Sequence, residues 1–492
     1  MREPRPRRPV MTTLNRRKFL ILGAGAVVGA SAFPLLGCGS DEEVAPLGAA
    51  LGSASTFLTP TEIISTDGVL ETSLIMAAAM VPFGDGERWA YTYNGATPGP
   101  TLRVRPGDLM RIRVVNQLGS PTNLHTHGLY VSPEGNSDNV FVSIAPGEEF
   151  LFEIQLPENH RGGTYWYHPH RHGYVAEQVS AGLAGMIIVE GDYDSDPVLA
   201  AATERIMVLS DPAIGQDNGI VSVSMMDRMM GREGDLVTIN GVHQPVMAAE
   251  TGSLERWRLV NASSSRFYNL ALVGAPTVLA GNDGGLMETP QQIDSLLLAP
   301  GERAELLVAA NEPGTIVLQT THYDRGGMGG MGGSDSNEPI DLLALEVTGL
   351  TKEAAMPTRI EKAAIAKPRA FTGQRTLELN MSGMSLTIDG KIFDHERVDQ
   401  HLTLGDVEEW TITNPSTMDH PFHIHIWQFQ VTDASDQRLI SPGLKDTVVV
   451  PAGGWVKFVL HITGFTGKAV YHCHILDHED QGMMGIFETT AR

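Results

Sequence analysis

The sequence predicts an all-β protein of three β-sandwich domains in tandem, and three observations carry that expectation. One skeleton of turns and strands occurs three times. Two-residue alternation is frequent while long stretches of 3.6-residue periodicity are few. Glycine (53) and proline (29) punctuate the chain at short intervals. At 492 residues, 42% hydrophobic and 19% charged, the chain suits about three cores of roughly 150 residues each.

Each copy opens on a turn pair: Asn94-Gly95, Asn240-Gly241 and Asp389-Gly390. A glycine then precedes an asparagine by nine residues, at Gly107 and Asn116, Gly252 and Asn261, and Gly405 and Asn414, with strand-like alternation between them. A second turn follows in each, Ala145-Pro146-Gly147, Ala299-Pro300-Gly301 and Pro451-Ala452-Gly453, and leads into another alternating run. These units place domains over 60–192, 200–348 and 370–492, with a tether at 38–59 and a linker at 349–369.

The N-terminal stretch reads as an address. Asn15-Arg16-Arg17-Lys18-Phe19-Leu20 precedes a Gly/Ala-rich apolar run from Ile21 to Leu36, the pattern of twin-arginine export. Leu35-Leu36-Gly37-Cys38 resembles a bacterial lipobox, whose cysteine becomes the lipidated first residue. Residues 1–37 are thus expected to be a signal peptide, with the product exported to the periplasm or cell envelope and anchored through Cys38. The alternative is a retained membrane span, for which Pro34 and the small residues are poorly suited. The net charge of −23 includes this basic segment, so the remainder is still more acidic, which speaks against a nucleic-acid partner. With Cys38 spent on lipid, Cys473 has no disulfide partner, and a lone thiol in an oxidising compartment requires burial or a metal.

Ten of the 17 histidines fall in four short clusters, all in the first and third copies. Nine residues after Asn116 stands His125-Thr126-His127-Gly128, and nine after Asn414 begins His423-Ile424-His425, where the second copy has Asn269 and Leu270. Further on come Tyr167-His168-Pro169-His170 and Tyr471-His472-Cys473-His474. On a strand, residues two apart share a face and odd separations alternate. His472 and His474 therefore face one way and Cys473 the other, so one strand serves two metal sites. By the same parity His420 joins Cys473, while His423 and His425 join His472 and His474. His478 and Met483 follow Cys473 by five and ten residues, as a short loop returning to one ion requires. Two imidazoles, a thiolate and a weak thioether define a blue-copper electron-transfer site, which leaves eight imidazoles for a second site. His160, His172, His243, His322, His395, His401 and His461 lack such spacing and are expected on the surface or in the core.

The four clusters resemble the multicopper oxidase family, which includes laccases, bilirubin oxidases and bacterial cuprous oxidases. The stretch from His472 to Met484 is most similar to the cuprous oxidases. The resemblance spans residues 60–492 and implies cupredoxin-like Greek-key sandwiches with four copper ions. It places a type 1 copper on His420, Cys473, His478 and axial Met483, and a type 2 copper on His125 and His423. A type 3 pair falls on His127, His168, His170, His425, His472 and His474. The implied partners are dioxygen and a small-molecule or metal-ion reductant. Electrons enter at the type 1 site and pass through the backbone of Cys473 to His472 and His474, and four of them reduce dioxygen to water. Asp138 and Glu479 are the candidate carboxylates, either delivering protons or orienting a histidine. A methionine ligand lowers the type 1 potential, which suits phenols, aromatic amines or metal ions. The reading is laccase-like. Its alternatives are a dedicated cuprous oxidase and a copper-binding or scaffold protein without catalysis. Met225, Met226, Met229 and Met230 read as the apolar side of a short helix or as a soft metal site, and Met328 and Met331 as a glycine-rich loop. Replacing Arg16 and Arg17 by lysine is expected to trap an immature form in the cytoplasm. Cell fractionation reads this out, and normal export of the variant refutes the address.

Overall fold

The computed structural model describes residues 55–84, 86–213, 219, 223–327, 338–363 and 371–492. The signal segment, Cys38, most of the tether, residues 364–369 of the linker, Met328 and Met331 lie outside the described residues. Among the described residues the strands form six sheets, two to each of three cupredoxin domains.

The turn pairs explain why the skeleton repeats. Asn94, Asn240 and Asp389 have φ of 55°, 53° and 51°, and the glycine after each lies at 70–78°. Two successive left-handed residues make the tight hairpin turn whose twist matches the flanking strands, and Asn-Gly and Asp-Gly tolerate it best. Downstream, the strands Leu109–Asn116, Ser253–Asn261 and Val407–Asn414 occupy one position in their sheets. Each pairs in parallel with the strand Val69–Phe83, Thr203–Ser210 or Gly373–Ser382, and antiparallel with Glu149–Gln155, Arg303–Ala310 or Gly454–His461.

The terminal asparagine is a corner in all three domains. The Asn116 amide nitrogen donates to the carbonyls of Ser120 and Ile144, that of Asn261 to Arg266 and Leu298, and that of Asn414 to Met418 and Val450. Each amide oxygen accepts the N–H two residues on. The side chain thus satisfies a buried loop that has no strand partner, and the strand after that loop starts at a set place. In the first and third domains that strand carries histidines.

Alternation buries one face of each sheet. The three cores centre on Leu74, Ile112 and Phe152, on Leu259, Leu306 and Leu318, and on Trp410, Phe458 and Phe487. Polar seams join the domains: Arg103 and Arg258 share Glu204 between the first and second, and Arg232 forks onto Asp477 between the second and third. Ser55 to Leu58, within the stretch read as a tether, are docked, since Phe57 donates to Val246 O and Val246 to Ser55 O. Among the described residues no helix is long and apolar enough to cross a membrane. Asn261→Ala leaves the Arg266 and Leu298 carbonyls of the domain without a histidine cluster unpaired. It is expected to cost roughly 1–3 kcal/mol, seen as an earlier unfolding transition in urea with the hairpin turns intact.

Candidate metal centre

Two strand pairs build the site. His125–His127 runs antiparallel to Gly163–His168, with His125 opposite His168. His420–Ile424 runs antiparallel to Gly467–Cys473, with His423 opposite His472 and Phe422 opposite Cys473. The two domains present these strands to one another, so that His125 stacks on His425 at 4.0 Å between ring centroids and His127 on His423 at 3.9 Å. Strand parity sends Cys473 to the other side, where its sulfur lies 3.6 Å from His420 Nδ1 and 3.8 Å from His478 Nδ1. The segment from Cys473 to Met483 is not a plain loop. It winds into the short helix Leu476–Asp480, which carries His478, and returns so that Cys473 N donates to Met483 O.

The ten clustered histidines, Cys473 and Met483 are all buried. Burial, reinforced by neighbouring imidazoles, holds His125, His127, His168, His425, His472 and His474 well below the usual histidine range. Burial likewise takes His170 to about 3 and His478 to about 4. These rings are neutral at physiological pH, with lone pairs free to bind a cation. Burial also pushes the Cys473 thiol up, so a bound cation is what makes it a thiolate.

The ring nitrogens divide in a way that fits metal ions. One nitrogen is anchored: His125 Nδ1 at 3.0 Å from Asp138, His127 Nε2 at 3.1 Å from Asp446, His168 Nδ1 on Pro169 O, His423 Nδ1 on Asp446 O and His472 Nδ1 on Cys473 O. The opposite nitrogens of His125, His127, His168 and His423, and both of His474, are buried with no partner. His472 Nε2 lies 3.1 Å from His170 Nε2 and 3.3 Å from His425 Nε2. Donor atoms of His125, His127 and His168, of His170, His425 and His472, and of His420, Cys473 and His478 each converge within 4.8 Å. Anchored rings turning bare nitrogens to a common point are the arrangement that metal ligation requires.

Asp138, raised to about 7 by burial, also accepts the Thr126 N–H and so ties the His125 ring to its own strand. Glu479 is raised by burial and faces His170 Nδ1 at 3.5 Å and His472 Nδ1 at 3.1 Å. Sequence reasoning missed Asp446, Ser416, whose hydroxyl lies 3.0 Å from His420 Nε2, and Asp480, which binds the N–H groups of Gly173, Val175 and Ala176. A lone acid opening the apolar run Asp446-Thr447-Val448-Val449-Val450 was the one legible signal. Of the other histidines, His160 is a core residue bonded to Tyr130 N and Arg161 O, while His395 and His401 are exposed.

Family models described as multicopper oxidase match residues 76–194, 217–328 and 366–492. The chain is 30% identical over 411 residues to multicopper oxidase mco of Staphylococcus haemolyticus, covering 81% of this chain and 83% of that protein. It is 26% identical over 471 residues to a laccase of Bacillus subtilis, covering 81% and 90%. The solved multicopper oxidase of Campylobacter jejuni, described as a metallo-oxidase, superposes with a TM-score of 0.78 at 30% identity, over 89% of this chain and 96% of that one. The chain belongs to the multicopper oxidase family. It is an oxidoreductase that draws electrons from a reducing substrate to reduce dioxygen, and its buried histidine clusters imply copper sites. Copper added to metal-free protein is expected to raise its unfolding temperature by mass action, about 2.7 kcal/mol at a hundredfold excess over Kd, and chelation to reverse it. Scanning calorimetry with and without copper checks this.

Proposed function

We propose that the clusters hold four copper ions: one on His420, Cys473, His478 and Met483, one on His125 and His423, and a pair on His127, His168, His170, His425, His472 and His474. When bound, copper supplies one-electron acceptance from a donor at the sulfur site and four-electron reduction of dioxygen to water at the three-ion cluster. Cys473 links the two, since its peptide neighbours His472 and His474 face the cluster and its carbonyl accepts the His472 Nδ1 proton at 3.0 Å. Asp138 orients His125. Glu479, protonatable and buried between His170 and His472, supplies protons to the reduced oxygen. The N-terminal export and lipobox patterns support a place in the cell envelope.

One observation supports cuprous ion as the donor. His478 is fully buried beneath the helix Met225–Met230, and its outer nitrogen lies 3.0 Å from Met229 O. A phenol has no open ring edge to abut. Met225 and Met226 on the same helix are 65% and 46% exposed, and Met230 packs on the core that contains Cys473. The cluster is thus a short helix with only Met229 fully inside, and its outer thioethers are soft donors suited to cuprous ion. The reading is a metallo-oxidase that takes cuprous ion in preference to phenols, in line with the metallo-oxidase that it resembles.

Oxygen uptake by copper-loaded protein, with cuprous ion and with a phenol as donors, tests this. Faster turnover of cuprous ion is expected, and faster turnover of the phenol would return the reading to a laccase. Cys473→Ser is expected to abolish both the blue thiolate absorption and oxygen uptake.

A further inference from the structure

We infer that Arg303, from the domain that lacks a histidine cluster, is a positioning residue for the three-ion site: its guanidinium fixes the Asp446 carboxylate, and through it the His127 ring and the strand edge that anchors His423. The inference rests on the copper reading above.

Arg303 is fully buried and uses all five of its N–H donors. Nη1 donates to Asp446 Oδ1 at 2.7 Å and to Gly301 O at 3.0 Å. Nη2 donates to Asp446 Oδ2 and, at 3.1 Å, to Asp283 O. Nε donates to Thr164 O at 3.2 Å, in the first domain. One side chain thereby gathers all three domains at a point. Asp446 passes the constraint on. Its Oδ1 accepts from the Thr447 hydroxyl at 3.0 Å and lies 3.1 Å from His127 Nε2, which leaves His127 Nδ1 as the ring's metal-facing atom. Its backbone carbonyl takes His423 Nδ1 at 2.9 Å. Asp283 braces the arrangement from the second domain, accepting Arg303 N at 2.8 Å and the N–H groups of Asp446 and Thr447 at 3.3 Å.

The surroundings are cut to fit. Gly128 has φ +85°, and a Cβ there would strike the Arg303 and Asp446 side chains. Gly301 has φ +84°, and a Cβ there would meet the His474 ring at 2.7 Å. His127 and His423 belong to different domains, so their relative placement depends on whatever holds both rings: Asp446, and the Thr447 hydroxyl that Asp446 itself holds, 3.4 Å from His127 Nε2 and 3.1 Å from His423 Nδ1. Only a planar fork fits the carboxylate bidentately while serving three carbonyls; lysine keeps the charge and loses the geometry.

The test titrates copper into metal-free wild type, Arg303→Lys and Arg303→Met, following the blue absorption, total copper and the electron paramagnetic resonance of the non-blue copper. Arg103→Lys, at a half-buried seam whose partners Glu62, Glu190 and Glu204 pair with no histidine, is the control for domain docking. Both Arg303 variants are expected to keep the full blue absorption, bind the non-blue copper roughly 10- to 100-fold more weakly and change its resonance parameters. The control is expected to lose thermal stability alone. Wild-type affinity and resonance in Arg303→Lys would overturn the inference, as would equal copper loss in the control. If Arg303→Met fails to fold, Arg303→Lys decides alone. Failure of the wild type to take up four coppers would instead defeat the copper reading itself.

Discussion

Ten imidazoles packed into the protein interior impose a constraint on everything around them. A buried ring nitrogen without a partner is costly, and a charged ring costlier still, so most of the rings are anchored on one nitrogen and leave the other for a cation, while His474 has neither nitrogen anchored. The anchors come from a set of unrelated sources: the carboxylates of Asp138 and Asp446, the carbonyls of Pro169, Cys473 and Met229, and the hydroxyl of Ser416. The carbonyls, which only accept, fix a tautomer as well as an orientation, and as backbone atoms they are partners that no side-chain substitution removes.

The β-strand period makes two sites out of one segment. His472 and His474 face the first domain while Cys473 faces away, so the two sites are separated by the thickness of a strand and joined by its peptide bonds. The geometry holds only if the domains cannot slide. Asp480 secures the third domain to the start of the helix Val175–Ser180, and Arg232 draws Asp477 toward the second domain and Ser180. The second domain, where Asn269 stands in place of the histidines and bonds Thr321, acts as a buttress that supplies arginines and the methionine helix instead of ligands.

Much of this was written in short patterns. The hairpin turns are legible because two consecutive left-handed residues are cheap only for Asn-Gly and Asp-Gly, and the corner asparagines because a nine-residue interval recurs three times. The two faces of the proposed metal centre are legible because cysteine flanked by histidines on a strand has a fixed parity. The winding of Leu476–Asp480 was not legible, since five residues of mixed polarity carry no period long enough to read.

The sequence by itself determined the repeat, the strand faces and the identity of the twelve clustered side chains, all of which follow from residue types a few positions apart. Only the tertiary structure decided how they meet. Arg303 finds Asp446 across 143 residues, Asp480 finds Gly173 across 307, and His127 finds Asp446 across 319. Such partners leave no local period, because their pairing is selected by the packing of whole domains and by the requirement that a buried charge end beside its complement. The covering of His478 by the methionine helix, on which the proposed choice of donor rests, belongs to the same class. It depends on where the domain without a histidine cluster comes to rest.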